Sequence, residues 1–229
     1  MDDSTSTPSL PIPEKDQALL KSINVYVREY MSQAHYDNSH DYQHILRVLS
    51  NAYRILRSET NSNPTAKFDN TTVFLAALLH DVGDHKYAKE GEDPEMMAYN
   101  VLQKHGASEE LALKIQAIIN NVGWTHEKKN PQSVTTALEK YPELAIVQDA
   151  DRLDAIGAVG VGRCFAFTGA KCKGRPMMDS IEHFEDKLYK LAGAMKTATG
   201  KAIAESRQEV LKDFAEQFKR ESELSFTFT

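Results

Sequence analysis

Three short stretches of the chain gather side chains able to hold a cation or move a proton. In the first, Leu78-Leu79-His80-Asp81-Val82-Gly83-Asp84-His85-Lys86, titratable groups follow one another where an apolar helix runs out. Ala76 to Leu79 form a buried helix interior, and burying His80 and Asp81 beside them is costly unless something pairs with both. A metal ion does this; a capping cluster bonded to backbone, with Gly83 as terminator, is the alternative. The second stretch is His40-Asp41-Tyr42-Gln43-His44-Ile45-Leu46-Arg47. Its two histidines lie one above the other on a helix face, with Arg47 on the same side. A zinc-protease helix needs Glu directly after the first His, and Asp41 stands there, so that chemistry is excluded. The third stretch carries Asp149, Asp151 and Asp154 on one apolar helix. Asp151 and Asp154 share a face, and Asp151, flanked by Ala150 and Leu153, is read as buried beside a cation. Asp149 points elsewhere and is read as solvated.

The elements that must position these groups are helices. Apolar residues recur at helical spacing, as in Leu19, Leu20, Ile23, Val27, Tyr30, Met31 and again in Ile45, Val48, Leu49, Ala52, Ile55, Leu56, while strand-like alternation is scarce. The pattern predicts an all-α, single-domain protein. Helices are expected over 14–34, 40–58, 71–82, 93–105, 108–121, 141–167, 179–197 and 202–221, with Thr71 or Thr72 capping the third and Ser108 opening the fifth. Linkers are expected at 58–70, 126–133 and 168–176. The last, TGAKCKGRP, joins Lys171, Lys173 and Arg175 with two glycines and reads as a mobile basic loop. Gly157, Gly160 and Gly162 reverse the order of a dinucleotide-binding fingerprint and follow a helix, so they are read as close helix packing.

Length and composition narrow the function classes. The chain has 229 residues, 41% hydrophobic and 26% charged, enough for one sizeable core. Its longest apolar runs, 73–79 and 155–162, fall far short of the ~20 residues that span a bilayer. Residues 1–15 lack the basic start and apolar stretch of a signal peptide and read as a disordered tail ahead of a domain over 16–225. Cys164 and Cys172 fit reduced thiols in the cytoplasm, with the nucleus also open. A net charge of −6 disfavours nucleic acid as a partner.

Taken in order, His44, the doublet His80-Asp81 and Asp151 form the pattern H…HD…D. With its flanks HDYQHILRV, LLHDVGDHK and DADRLDAIGAVGVGRCFA, the chain resembles the HD-domain metal-dependent phosphohydrolase superfamily, in its YpgQ/YedJ-like branch, over residues 20–215. The resemblance implies that His44, His80, Asp81 and Asp151 hold one divalent ion. Two imidazoles and two carboxylates suit Mn²⁺, Mg²⁺, Fe²⁺, Co²⁺ or Zn²⁺ without choosing among them, and Mn²⁺ is the first expectation. It further implies catalysis by Asp81 and by Asp84, which occupies the position where many relatives carry Glu. Lys86, Arg152, Lys171, Lys173 and Arg175 are the candidates to bind phosphate. The implied substrate is a nucleotide, in this branch a nucleoside triphosphate split to monophosphate and pyrophosphate. A 5′-nucleotidase and a regulatory module without turnover are the alternatives, and a homo-oligomer remains open.

Overall fold

The computed structural model describes residues 10–33, 36–83 and 93–227. Among them every regular element is helical, as the apolar periodicity predicts. No single helix there is long and apolar enough to cross a membrane. The chain starts with α1 (Glu14–Met31), α2 (Tyr42–Ser62) and α3 (Asn70–Leu79). Every residue of α3 from Thr71 to Leu79 is buried, so this helix is apolar all round and forms the centre of the molecule. The side chain of Asp69, and not of Thr71 or Thr72, caps it by accepting from the Thr71 N–H at 3.1 Å. The expected disordered tail is partly ordered: Leu10 and Ile12 pack on the core, and the Asn70 amide donates to the Pro11 carbonyl at 2.6 Å.

Next come α4 (Met97–Lys104) and α5 (Glu109–Ile119), which pack as a pair, and α5 opens on Ser108 as its spacing predicts. The expected linker over 126–133 is instead two short helices, α6 (Trp124–Lys129) and α7 (Pro131–Lys140). Pro131 sits in the first turn of α7, where its missing N–H costs nothing. The single helix expected over 141–167 is broken in two: α8 (Glu143–Asp154) and α9 (Gly157–Lys171) meet at a 70° bend. Gly157 turns the chain with φ of +74°, which a side chain would resist, and Arg207 lies against it while donating to the Leu153 carbonyl at the end of α8. A Cβ on Gly160 would stand 2.3 Å from the Ala155 carbonyl oxygen, so this glycine permits the tight bend. Because α9 continues to Lys171, the first four residues of the expected loop over 168–176 are helical, and 172–177 connects. The chain closes with α10 (Met178–His183), a π turn over Phe184–Leu188, α11 (Tyr189–Gly193) and the long α12 (Ala198–Glu221).

Two apolar clusters flank α3, which contributes to both: Phe74 and Ala77 face α8, α9 and α12, while Leu75, Leu78 and Leu79 face α1, α4 and α5. Asp149 departs from its expected place. It is fully buried and accepts from the N–H of Lys196 at 2.9 Å, and from the N–H and hydroxyl of Thr197, both at 2.7 Å. Burial raises the pKa of its carboxyl, against the pull of these hydrogen bonds. Thr197 in turn caps α12 through Gly200, whose missing Cβ leaves room for the carboxylate. Asp149 therefore joins α8 to the start of α12. Asp149→Ala would strand several buried donors and should cost about 3 kcal/mol or more in urea unfolding. Ser108→Ala, at an exposed cap, should cost only ~1 kcal/mol.

Candidate metal centre

Three helices meet at one point. α2 delivers His44 from its first turn, which Asp41 caps by accepting from the His44 N–H at 3.0 Å. α3 delivers His80 and Asp81 just past its C-terminus, and Gly83, with φ of +84°, turns the chain away after them. α8 delivers Asp151 and Asp154, one turn apart as their spacing predicts. The mutual packing of α2, α3 and α8 brings the four expected ligands together. His44 Nε2 lies 3.2 Å from His80 Nε2, 3.2 Å from Asp81 Oδ2 and 3.7 Å from Asp151 Oδ1. His80 Nε2 lies 3.5 Å from Asp81 Oδ1 and 3.8 Å from Asp151 Oδ1.

The other ring nitrogens decide what these contacts mean. His80 Nδ1 faces the Ala77 carbonyl at 2.8 Å and His44 Nδ1 faces Asp154 Oδ2 at 2.7 Å, so both Nδ1 atoms must donate. In neutral imidazoles that leaves two Nε2 lone pairs pointing at each other, an arrangement that repels unless a positive charge sits between them. Asp81 Oδ2 is buried with no hydrogen-bond partner, although it lies beside His44. Buried lone pairs and a buried carboxylate oxygen around one point fit a divalent cation, and the spacings suit donors each ~2.0–2.2 Å from a shared ion. His44 and His80 are buried, whereas the Asp151 side chain is 28% exposed, so the centre opens on the Asp151 side.

The surrounding carboxylates favour positive charge at this point. Burial opposes the charged form of His44, yet the carboxylates of Asp154 and Asp81 hold its pKa above the usual range. Burial likewise opposes ionisation of Asp81, but the imidazoles of His80 and His44 hold its pKa well below the usual carboxylate range. Asp154 completes the arrangement. Despite burial, its hydrogen bonds to His44 and Arg47 and the charge of Arg163 bring it down to about 2. Arg47 donates to it from Nε at 2.8 Å and Nη2 at 3.1 Å, and Arg163 from Nη1 at 3.1 Å. A permanently ionised carboxylate behind a ligating imidazole fixes its tautomer and strengthens its donor atom.

The other candidate residues separate. Arg152 does not face this centre. It is 2% exposed, donates from Nη1 to the Ala194 carbonyl at 2.8 Å, pairs with Glu127 and lies over the Trp124 ring. Its neighbour Lys196 reaches the same Glu127 at 2.7 Å, and the two cations outweigh burial to lower the Glu127 pKa. Arg152 is therefore an internal tie between α8, α6 and the turn before α12, a correction to its expected role in binding phosphate. Lys171 ends α9 and lies 3.7 Å from Asp37. Lys173 is exposed beyond it, and Arg175 pairs with Asp179 at 2.5 Å. Asp84 and Lys86 lie outside the described residues. Sequence reasoning missed Asp154 as the partner of His44, although its place one turn after Asp151 was a usable signal. It also missed Arg163, which nothing local marks.

Comparison with known proteins agrees with this geometry. The HD domain family matches residues 41–156, a span that includes all four proposed ligands. YpgQ of Bacillus subtilis is 32% identical over 212 residues, covering 90% of this chain and 95% of that protein. The crystal structure of YpgQ in complex with ADP superposes with a TM-score of 0.67 at 32% identity, over 89% of this chain and 94% of that one. An HD-superfamily hydrolase from Bacillus thuringiensis superposes with a TM-score of 0.63 at 30% identity, over 88% and 95% of the two chains. The chain belongs to the HD domain family and is a metal-dependent phosphohydrolase of the HD superfamily.

Proposed function

We propose that this protein hydrolyses nucleoside triphosphates to monophosphate and pyrophosphate, with one divalent ion held by His44, His80, Asp81 and Asp151. The facing Nε2 atoms of His44 and His80 carry the metal part of this reading. The nucleotide part is supported by the ADP bound to YpgQ, which is 32% identical. When bound, the ion supplies a Lewis acid for a phosphoryl oxygen and lowers the pKa of water. The mixed nitrogen and oxygen donors admit Mn²⁺ along with Mg²⁺, Fe²⁺, Co²⁺ or Zn²⁺. The chain's own residues do the rest: Asp154 keeps the His44 lone pair directed at the ion, and partly exposed Asp151 borders the side from which a phosphate approaches. Asp84, three residues beyond Asp81, is assigned from its sequence position to orient or deprotonate the attacking water. The two free thiols fit a reducing compartment such as the cytoplasm.

Purified protein should contain close to one divalent ion per chain by elemental analysis, and His80→Ala or Asp151→Ala should contain far less. Unchanged content in both variants would sink the metal assignment. Asp154→Asn should retain the fold while weakening metal affinity by about 10–100-fold, read by competition with a chelator. With Mn²⁺ and a panel of nucleoside mono- and triphosphates, the expected products are monophosphate and pyrophosphate. Orthophosphate from monophosphates would establish a 5′-nucleotidase instead, and no product would leave a binding module. Asp84→Asn should keep its metal and lose ~10²–10⁴ in turnover.

A further inference from the structure

One face of α9 runs outward from the metal centre. Arg163, Phe167 and Lys171 recur every fourth residue along it, so they stand in a row at steps of ~6 Å. Each meets the segment 37–40 that leads into α2. Arg163 donates from Nε to the Ser39 carbonyl at 2.7 Å while holding Asp154. Lys171 lies 3.7 Å from Asp37. Between these ties, the half-buried Phe167 ring meets the His40 ring edge-on at 6.0 Å, and His40 meets His44 at 5.9 Å. The His40 ring is itself held, because Ser39 Oγ lies 2.7 Å from its Nδ1 and also bonds Asp37.

This places an aromatic ring, partly open to solvent, within about 12 Å of the His44 ring. The row pairs positive ends with an apolar middle. Phosphate recognition needs charge and gains nothing from an aromatic face, whereas a base stacks on one whatever its hydrogen-bonding edges are. A nucleotide with its phosphates at the metal has its base extending by roughly this distance. Resting on the nucleotide reading above, we propose that Phe167 stacks on the nucleoside part of the substrate and is the residue that makes the site prefer a nucleotide over a bare polyphosphate. His40, braced by Ser39 and Asp37, holds the ring by an edge-on contact.

The test compares ligands that share phosphates and differ in the nucleoside. Calorimetry on Mn²⁺-loaded protein measures ADP and inorganic tripolyphosphate binding to the parent, Phe167→Ala, Phe167→Leu and Phe167→Tyr. Thermal melting and metal content check that each variant is folded and loaded. Phe167→Ala should weaken ADP binding about tenfold or more and leave tripolyphosphate within about twofold of the parent. Phe167→Leu, which keeps bulk but loses the π face, should also lose affinity for ADP, and Phe167→Tyr should restore it. In turnover, Phe167→Ala should raise KM for a nucleoside triphosphate more than it lowers kcat. Unchanged ADP affinity, or equal loss for both ligands, would overturn the assignment of Phe167 while leaving the nucleotide reading intact. A parent that binds tripolyphosphate but no nucleotide would overturn both.

Discussion

The centre of this protein is built around two imidazole nitrogens held 3.2 Å apart with their lone pairs facing. Neither ring can relieve the conflict by changing tautomer, because the Ala77 carbonyl and the Asp154 carboxylate claim the opposite nitrogens. A cation between them removes the repulsion, and Asp81 and Asp151 supply the negative charge that retains it. The surrounding polar groups serve the same end. Asp154 would be an expensive buried charge alone, and Arg47 and Arg163 keep it ionised.

The backbone path follows from that requirement. α3 can present His80 and Asp81 at its end only because it is apolar on every side and fixed between two clusters of core side chains. The bend between α8 and α9 matters as much. A continuous helix would carry Arg163 away from Asp154 along the helix axis, whereas the 70° turn at Gly157 brings it back to the carboxylate. The same turn sets α9 beside the segment leading into α2, so the bend that completes the metal centre also creates the row of Arg163, Phe167 and Lys171.

Two further charged residues of α8 serve the frame. Asp149 anchors the start of α12, and Arg152 ties α8 to α6 through Glu127 and to the turn before α12 through the Ala194 carbonyl. One helix thus points carboxylates at the His44 and His80 imidazoles from one side and fastens itself with buried polar groups on the others. Such a fastening is strict, since removing one partner leaves the other uncompensated in a low-dielectric interior.

The set of four proposed ligands followed from the resemblance carried by the order H…HD…D, whereas the sequence by itself determined the helical class and the apolar helix that ends in His80-Asp81. These depend on local periodicity and on side-chain types whose burial is costly without a partner, and both are visible in a linear string. Tertiary structure alone decided which way each residue of α8 faces. Asp149, Asp151, Arg152 and Asp154 are neighbours of similar polarity in the sequence, yet they meet a cap, the facing His44 and His80 nitrogens, an internal ion pair and the far side of His44. An α-helix turns ~100° per residue, so adjacent side chains enter different environments, and only the packing of α2, α6, α9 and α12 around α8 determines what each one meets. Arg163 and Phe167 were illegible for the same reason: their partners are distant in the chain and become neighbours only through the bend at Gly157.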